Sequence, residues 1–325
     1  MTTAIPAEAA RPARTPRLTT TPPPRRRHRP SAWAYAAPAL LVYTGFLVYP
    51  ALQSVYLSLT SWDGITPDKE FVGLDNYRHL ADDPVIGTAV RNNLLWTLVT
   101  ILLPMLLGLA LALALNSRLV RGRSFLRTVF YAPAVLPLVS VATIWGWLYN
   151  PTDGAINEAL TTLGLESLTH AWLGDDSTAL WATMVPAVWV RTGFPLLLYL
   201  AALQGIPREL HESAAMDGAN AWQRFRHVTL PGLRPTNHIV LALSLIESFK
   251  VFDLIYALTY GGPGRSTQVL GTWMYFNVFQ YYQSGYGAAI AVVITLVAVF
   301  VGIPYVLSQT KDIPIVLSSR SRDGG

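Results

Sequence analysis

Six apolar runs, each long enough to cross a bilayer as a helix, limit what this chain can fold into. They lie at about 33–59, 94–116, 128–149, 179–204, 236–260 and 285–308. A membrane-spanning helix needs roughly 20 apolar residues, and the first, second, third and sixth runs contain no charged residue. Lipid offers the backbone no hydrogen bonds, so each run must satisfy its own as a helix. Charged residues make up 13% of the chain, about half the share of a soluble domain, so most of the surface is suited to lipid. The expected fold is all-α and integral to a membrane, with six transmembrane helices over residues 32–308. Prolines inside the runs (Pro38, Pro50, Pro104, Pro133, Pro137, Pro186, Pro195 and Pro304) are expected as kinks that a helix bundle tolerates.

Basic residues set the expected orientation. With both ends and loops 117–127 and 205–235 on one side, that side holds eighteen Lys and Arg, and the opposite loops hold four. The positive-inside rule places the richer side, and both termini, in the cytoplasm. Residues 1–31, with "RRRHR" at 25–29, read as a disordered basic tail. It is a topology anchor or a lipid- or partner-binding arm. Residues 309–325 form a second cytoplasmic tail. The first apolar run is too long for a signal-peptide core and is expected to stay in the mature protein. The chain has no cysteine, which removes disulfides and thiolate metal sites from consideration.

Enzyme signatures are missing. None of the three lysines, Lys69, Lys250 and Lys311, follows a glycine, so no Walker A loop exists. "HES" at His211–Ser213 opens like a zinc-protease motif, but Ala215 stands where the second histidine belongs. The six histidines are scattered, and no metal or hydrolase site is expected.

One segment needs its own explanation. Between the fourth and fifth runs lies "ELHESAAMDGANAWQRFRHVTLP", Glu209 to Pro231. Pro207 suits a first helical turn, and Glu209 and Glu212 suit its positive end. Gly218 beside Asp217 offers a break, a second helical stretch follows at about Asn220–His227, and Pro231 with Pro235 ends it. Ser213, Ala214 and Ala215 are small, so another surface could approach this helix closely. On spacing alone, a docking helix and an unpartnered interfacial helix stand level.

The segment resembles the EAA loop of ATP-binding-cassette (ABC) importer permeases. The matching residues are Glu212-Ser213-Ala214-Ala215, Asp217-Gly218-Ala219 and Val228-Thr229-Leu230-Pro231, with Ser213 in place of the usual first alanine. "FVGLDNYRHL" (71–80), "WGWLYNPTDGAIN" (145–157), "YLAALQGIPRELHESAAMDGANAWQRF" (199–225) and "VFDLIYALTYGGPGRST" (251–267) resemble the maltose, multiple-sugar and glycerol-3-phosphate branch. "GGPG…ST" resembles the first of the two permeases such systems encode. The resemblance implies a type I importer permease fold that moves a sugar by alternating access. It implies a second permease, two cytoplasmic ATPases carrying the ATP and magnesium, and an extracytoplasmic binding protein. The 205–235 loop would then be the coupling helix, with Glu212, Ser213, Ala214, Ala215, Asp217, Gly218, Leu230 and Pro231 meeting the ATPase. No cofactor, metal or nucleic acid is implied for this chain, and it would not itself be an enzyme.

Charges inside the apolar runs are costly unless paired or wet. Glu247, Lys250 and Asp253 fall within one arc of an unbroken fifth helix. They line a translocation path, or they form i,i+3 pairs that lock helices together. Arg191 is a solute donor or a partner of Glu247 or Asp253. Trp145, Trp147, Trp189 and Tyr199 read as packing or interfacial residues. Loops 60–93 and 150–178 hold eleven acidic residues against three basic ones, a docking face for the binding protein or ordinary solvation. An ion-driven carrier using Glu247 or Asp253 as a relay is the alternative, but no internal repeat supports it. A membrane enzyme would need a clustered acid, base and nucleophile, and none is visible.

Overall fold

The computed structural model describes residues 32–117 and 120–310. The basic tail 1–31, and 311–325 of the second tail, lie outside the described residues. The chain divides into units 1–50 and 51–325. In the first, α1 (Ala32–Tyr43) runs through a π-helical turn at Thr44–Val48 into α2 (Tyr49–Leu57), which continues past the boundary. No residue of the apolar window within Tyr35–Leu57 is buried.

In the second unit a short antiparallel pair, β1 (Thr60–Ser61) and β2 (Glu70–Phe71), precedes α3 (Asp75–Asp82) and α4 (Pro84–Asn116). Helix α4 starts well before the apolar run at 94. Asp83 accepts from the Val85 amide at 2.8 Å and Pro84 fits the first turn, so the helix is capped there. Its early polar residues are structural. Asn92 Nδ2 donates to the carbonyls of Ser266 (2.7 Å) and Gln268 (2.8 Å), and Asn93 Oδ1 accepts from the Leu270 amide at 2.8 Å. Asp83 Oδ2 also accepts from Trp273 Nε1 (2.8 Å) and Tyr286 Oη (2.7 Å).

The third apolar run is not one helix. α5 (Arg123–Tyr131) passes through a 3-10 turn at Ala132–Val135, and α6 (Leu138–Leu148) leaves it at 101°. Pro133 and Pro137 together break what either alone would kink. Leu136, forced out of the helical region by the proline after it, is extended at ψ 138°. Next come α7 (Ala155–Thr162) and α8 (Ala179–Gly205). Helix α8 packs along α4 and has the most buried apolar window of the described spans, at 61%.

The remaining helices are α9 (Arg208–Met216), α10 (Ala221–Arg224), α11 (Leu230–Gly232), α12 (Arg234–Phe249), α13 (Asp253–Leu258), α14 (Leu270–Phe279) and α15 (Ser284–Thr310). Among the described residues, four helical stretches are long and apolar enough to cross a membrane alone, and the α5–α6 pair makes a fifth when the two are counted as one bent span. The run at 236–260 becomes α12 and α13, parted at residues 250–252. Buried side chains form three clusters. One surrounds the α12–α13 break (Trp96, Val190, Val251, Leu254, Ile255), one joins α4, α14 and α15 (Ala89, Trp273, Phe276, Ile290), and one sits beneath α9–α11 (Leu115, Leu196, Tyr199, Leu203, Leu233). In lipid such clusters gain from close packing more than from leaving water.

Candidate functional site: an exposed loop helix and a broken span

The segment after α8 is ordered by its own hydrogen bonds. Gly218 ends α9 at φ 80°, a conformation that suits glycine. The Asp217, Gly218 and Ala219 amides reach back to the carbonyls of Ser213, Ala215 and Ala214 at 3.0, 3.1 and 2.9 Å. Asn220 and Gln223 then close a reciprocal capping box, at 2.9 and 2.8 Å, that starts α10. The second helical stretch runs further than expected. It passes through a π-helical turn at Phe225–Thr229 into α11, so Pro231 lies within a helical turn instead of ending the stretch.

No residue of α9 is buried. Glu212, Ser213, Ala215, Asp217 and Gly218 are exposed and Ala214 is half-buried. Leu230 and Pro231 stand apart from them, at the base of the loop between buried Thr229 and fully buried Leu233. Sequence reasoning missed three exposed neighbours, Leu210, Met216 (89% exposed) and Trp222 (64%). Their signal was available: large apolar residues set among small and polar ones.

The expected charged arc on the fifth helix is corrected by the structure. Helix α12 stops at Phe249, and Asp253 opens α13, so Glu247, Lys250 and Asp253 do not share one continuous helix. Two remote residues meet the chain at the break. Arg191 Nη2, from α8, donates to the Glu247 carbonyl at 3.2 Å and satisfies a helix-end acceptor. Gly271 lies against the Val251 carbonyl, where a Cβ would come within 2.7 Å, so only glycine lets α14 approach the unwound strand this closely. Arg191 thus bonds to a backbone oxygen and to neither carboxylate. Glu247 Oε1 pairs with Lys250 Nζ at 3.3 Å instead, with both side chains more than half exposed. Such a pair adds little stability and does not lock two helices together. Asp253 is exposed.

Beside the break is a cavity of about 30 Å³ lined by Trp96, Arg191, Val251 and Asp253 among others. Trp96 Nε1 and Arg191 Nη1 are buried with no partner among the described residues. Two donors facing a space of this size can hold a water molecule or another small acceptor. The region therefore offers donors, an ammonium and two carboxylates in the middle of an apolar run, a set suited to holding a polar solute.

A family model described as "Binding-protein-dependent transport system inner membrane component" matches residues 104–310, which contain both regions. The chain is 39% identical over 266 residues to the probable ABC transporter permease protein YurN of Bacillus subtilis, covering 82% of this chain and 91% of that one. It is 35% identical over 265 residues to the multiple sugar-binding transport system permease protein MsmF of Streptococcus mutans, covering 82% and 90%. Among solved structures, a chain of a bacterial ABC transporter involved in the import of the acidic polysaccharide alginate superposes with a TM-score of 0.75. That match has 24% identity and covers 87% of this chain and 96% of the other, a likeness of fold.

Proposed function

The chain belongs to the binding-protein-dependent transport system inner membrane component family, and on that premise we propose that it is a permease subunit of a sugar-type ABC importer. It pairs with a second, related permease around a path for the sugar. Two ATPase subunits sit below the permease pair, and a binding protein delivers solute to the opposite loops. Both termini are cytoplasmic, in keeping with the basic-residue asymmetry. Alternating access follows ATP binding and hydrolysis in the ATPases, so this chain does no covalent chemistry. The sugar assignment leans on MsmF, whose name specifies multiple sugar-binding transport.

One observation carries the reading. Helix α9 is closed at its C-terminal end by its own hydrogen bonds, yet it leaves Met216 exposed one turn on from Glu212, and the adjoining α10 leaves Trp222 exposed. Large apolar side chains held out on an ordered turn, on a helix with no buried residue, suit a contact with another protein. In this reading Glu212 makes the polar contact with the ATPase, Ala214 and Ala215 allow close approach, and Gly218 holds the turn. Arg191, Glu247, Lys250 and Asp253 line the path at the break, where exposed charges are tolerated because water reaches them.

The test is an affinity pull-down from mildly solubilised membranes, comparing wild type with a Glu212→Ala, Gly218→Arg double variant. Wild type is expected to bring down a Walker-type ATPase and a second permease, and the variant to lose the ATPase alone. Absence of any ATPase from the wild-type sample would sink the importer reading.

A further inference from the structure

The exposed charged face at the break continues outward onto aromatic rings. Glu247, Lys250, Asp253 and Tyr260 are exposed in turn, with Phe252 and Tyr256 half-buried beside them. Phe252 and Tyr256 stack at 5.1 Å with an 18° tilt, and Tyr256 meets Tyr260 at 4.9 Å. From α14, Tyr275 packs 5.0 Å from Tyr256, and Phe279 packs 4.9 Å from Tyr275. Phe252 lines the cavity at the break, while Tyr260 and Phe279 lie at the far end and are 50% and 61% exposed. Polar groups accompany the rings: the Tyr256 and Tyr275 hydroxyls are 3.5 Å apart, and Gln280 Nε2 donates to the Tyr260 hydroxyl.

A belt of interfacial aromatics would explain rings at one depth. These rings instead form a connected series that starts at Phe252 beside the break, reaches Tyr260 eight positions later through Tyr256, and reaches Phe279 on α14 through Tyr275. Tyr260 also has φ 55°, a left-handed conformation that bulky residues seldom adopt. Its amide donates to the Ile255 carbonyl at 3.0 Å, which helps hold it there. Backbone strain of this kind concentrates where a side chain must be aimed.

We propose that the α13–α14 aromatic tier, from Tyr260 and Phe279 inward to Phe252, is an entry subsite that stacks the C–H face of a sugar ring. Its hydroxyl and amide groups bond the ring's hydroxyls as the sugar moves from the outer loops to the charged break. This rests on the sugar-importer reading and adds a subsite to it.

The experiment uses proteoliposomes carrying the transporter as it co-purifies with this chain, supplied with its binding protein. Uptake of maltose, trehalose, cellobiose and raffinose is measured together with ATP hydrolysis. For the sugar that wild type takes up best, Tyr260→Leu and Phe279→Leu are each expected to lower the sugar moved per ATP by about fivefold or more, the scale of one lost aromatic contact. Tyr260→Phe keeps the ring face and should recover most of that ratio. A wild-type ratio in both leucine variants overturns the subsite, as does a parallel loss of uptake and hydrolysis, which marks a packing role. If wild type hydrolyses ATP but takes up none of the four sugars, the sugar reading itself fails and the subsite falls with it.

Discussion

Arg191 shows how far one side chain reaches. It stands in α8 and donates to the Glu247 carbonyl, 56 residues later in sequence. A charged donor on a backbone oxygen is worth about 1.5–3 kcal/mol, so losing it where it matters for transport corresponds to about tenfold or more in rate. Arg191→Leu is therefore expected to reduce uptake at least to that extent while the protein still reaches the membrane. Arg191→Lys, which keeps charge but not the planar fork, should fall between; radiolabelled sugar uptake with immunoblotting of membranes checks both. Asp83 makes a second residue-scale case. Burial pulls its carboxyl upward, but donors from Tyr286, the Val85 amide and Trp273 outweigh burial and hold its pKa below the ordinary carboxylate value. The stabilisation is thus complete above the ordinary value and fades as pH falls through the lowered one. Asp83→Asn should melt below wild type at neutral pH, with the gap closing under acid conditions below about pH 4; melting curves in detergent from neutral to acid pH would show it.

Elements depart from the sequence reading where distant residues decide their shape. The fourth and sixth apolar runs match α8 and α15 closely: Pro186 and Pro195 in α8 and Pro304 in α15 are carried within the helices without breaking them. The bend between α5 and α6 was visible as Pro133 and Pro137, and underestimated as a kink. The α12–α13 break had no such sign, since 236–260 contains neither proline nor glycine. The residues that meet it, Arg191 and Gly271, come together with it only in the folded chain. The α9–α10 turn was legible because glycine and asparagine act locally, whereas the outward aim of Met216 and Trp222 is a matter of tertiary placement. Asn220 tests the turn as an element. Asn220→Ala should cost about 1 kcal/mol of local helix stability without moving the main melting transition, because no residue of α10 is buried. Faster proteolytic cutting near 217–220, with an unchanged melting curve, is the expected result.

At the scale of the whole molecule, the absence of cysteine makes orientation directly testable. On the proposed topology Met216 lies inside the cell and exposed Thr161 of α7 lies outside. In intact cells a membrane-impermeant maleimide should label Thr161→Cys at once and Met216→Cys only after permeabilisation. Labelling of Met216→Cys in intact cells would invert the topology and remove the loop from any cytoplasmic ATPase. The ATPase, once bound, should also shield Met216→Cys from the reagent.

The chain path gives the broken span a mechanical meaning. Helix α11 ends at Gly232 and α12 begins at Arg234, so the exposed turn leads almost directly into a sixteen-residue rod about 24 Å long. The rod stops at the charged residues, and the remainder of the run is a separate piece held by Asn92 and Asn93 through the 266–270 connection. A shaft with a joint at its far end can tilt without dragging the housing beyond the joint. On the proposed function, force applied at α9 would reorient Glu247 and Lys250 while the loops beyond the joint keep their shape, so that an inner gate would work while the outer doorway stays in place.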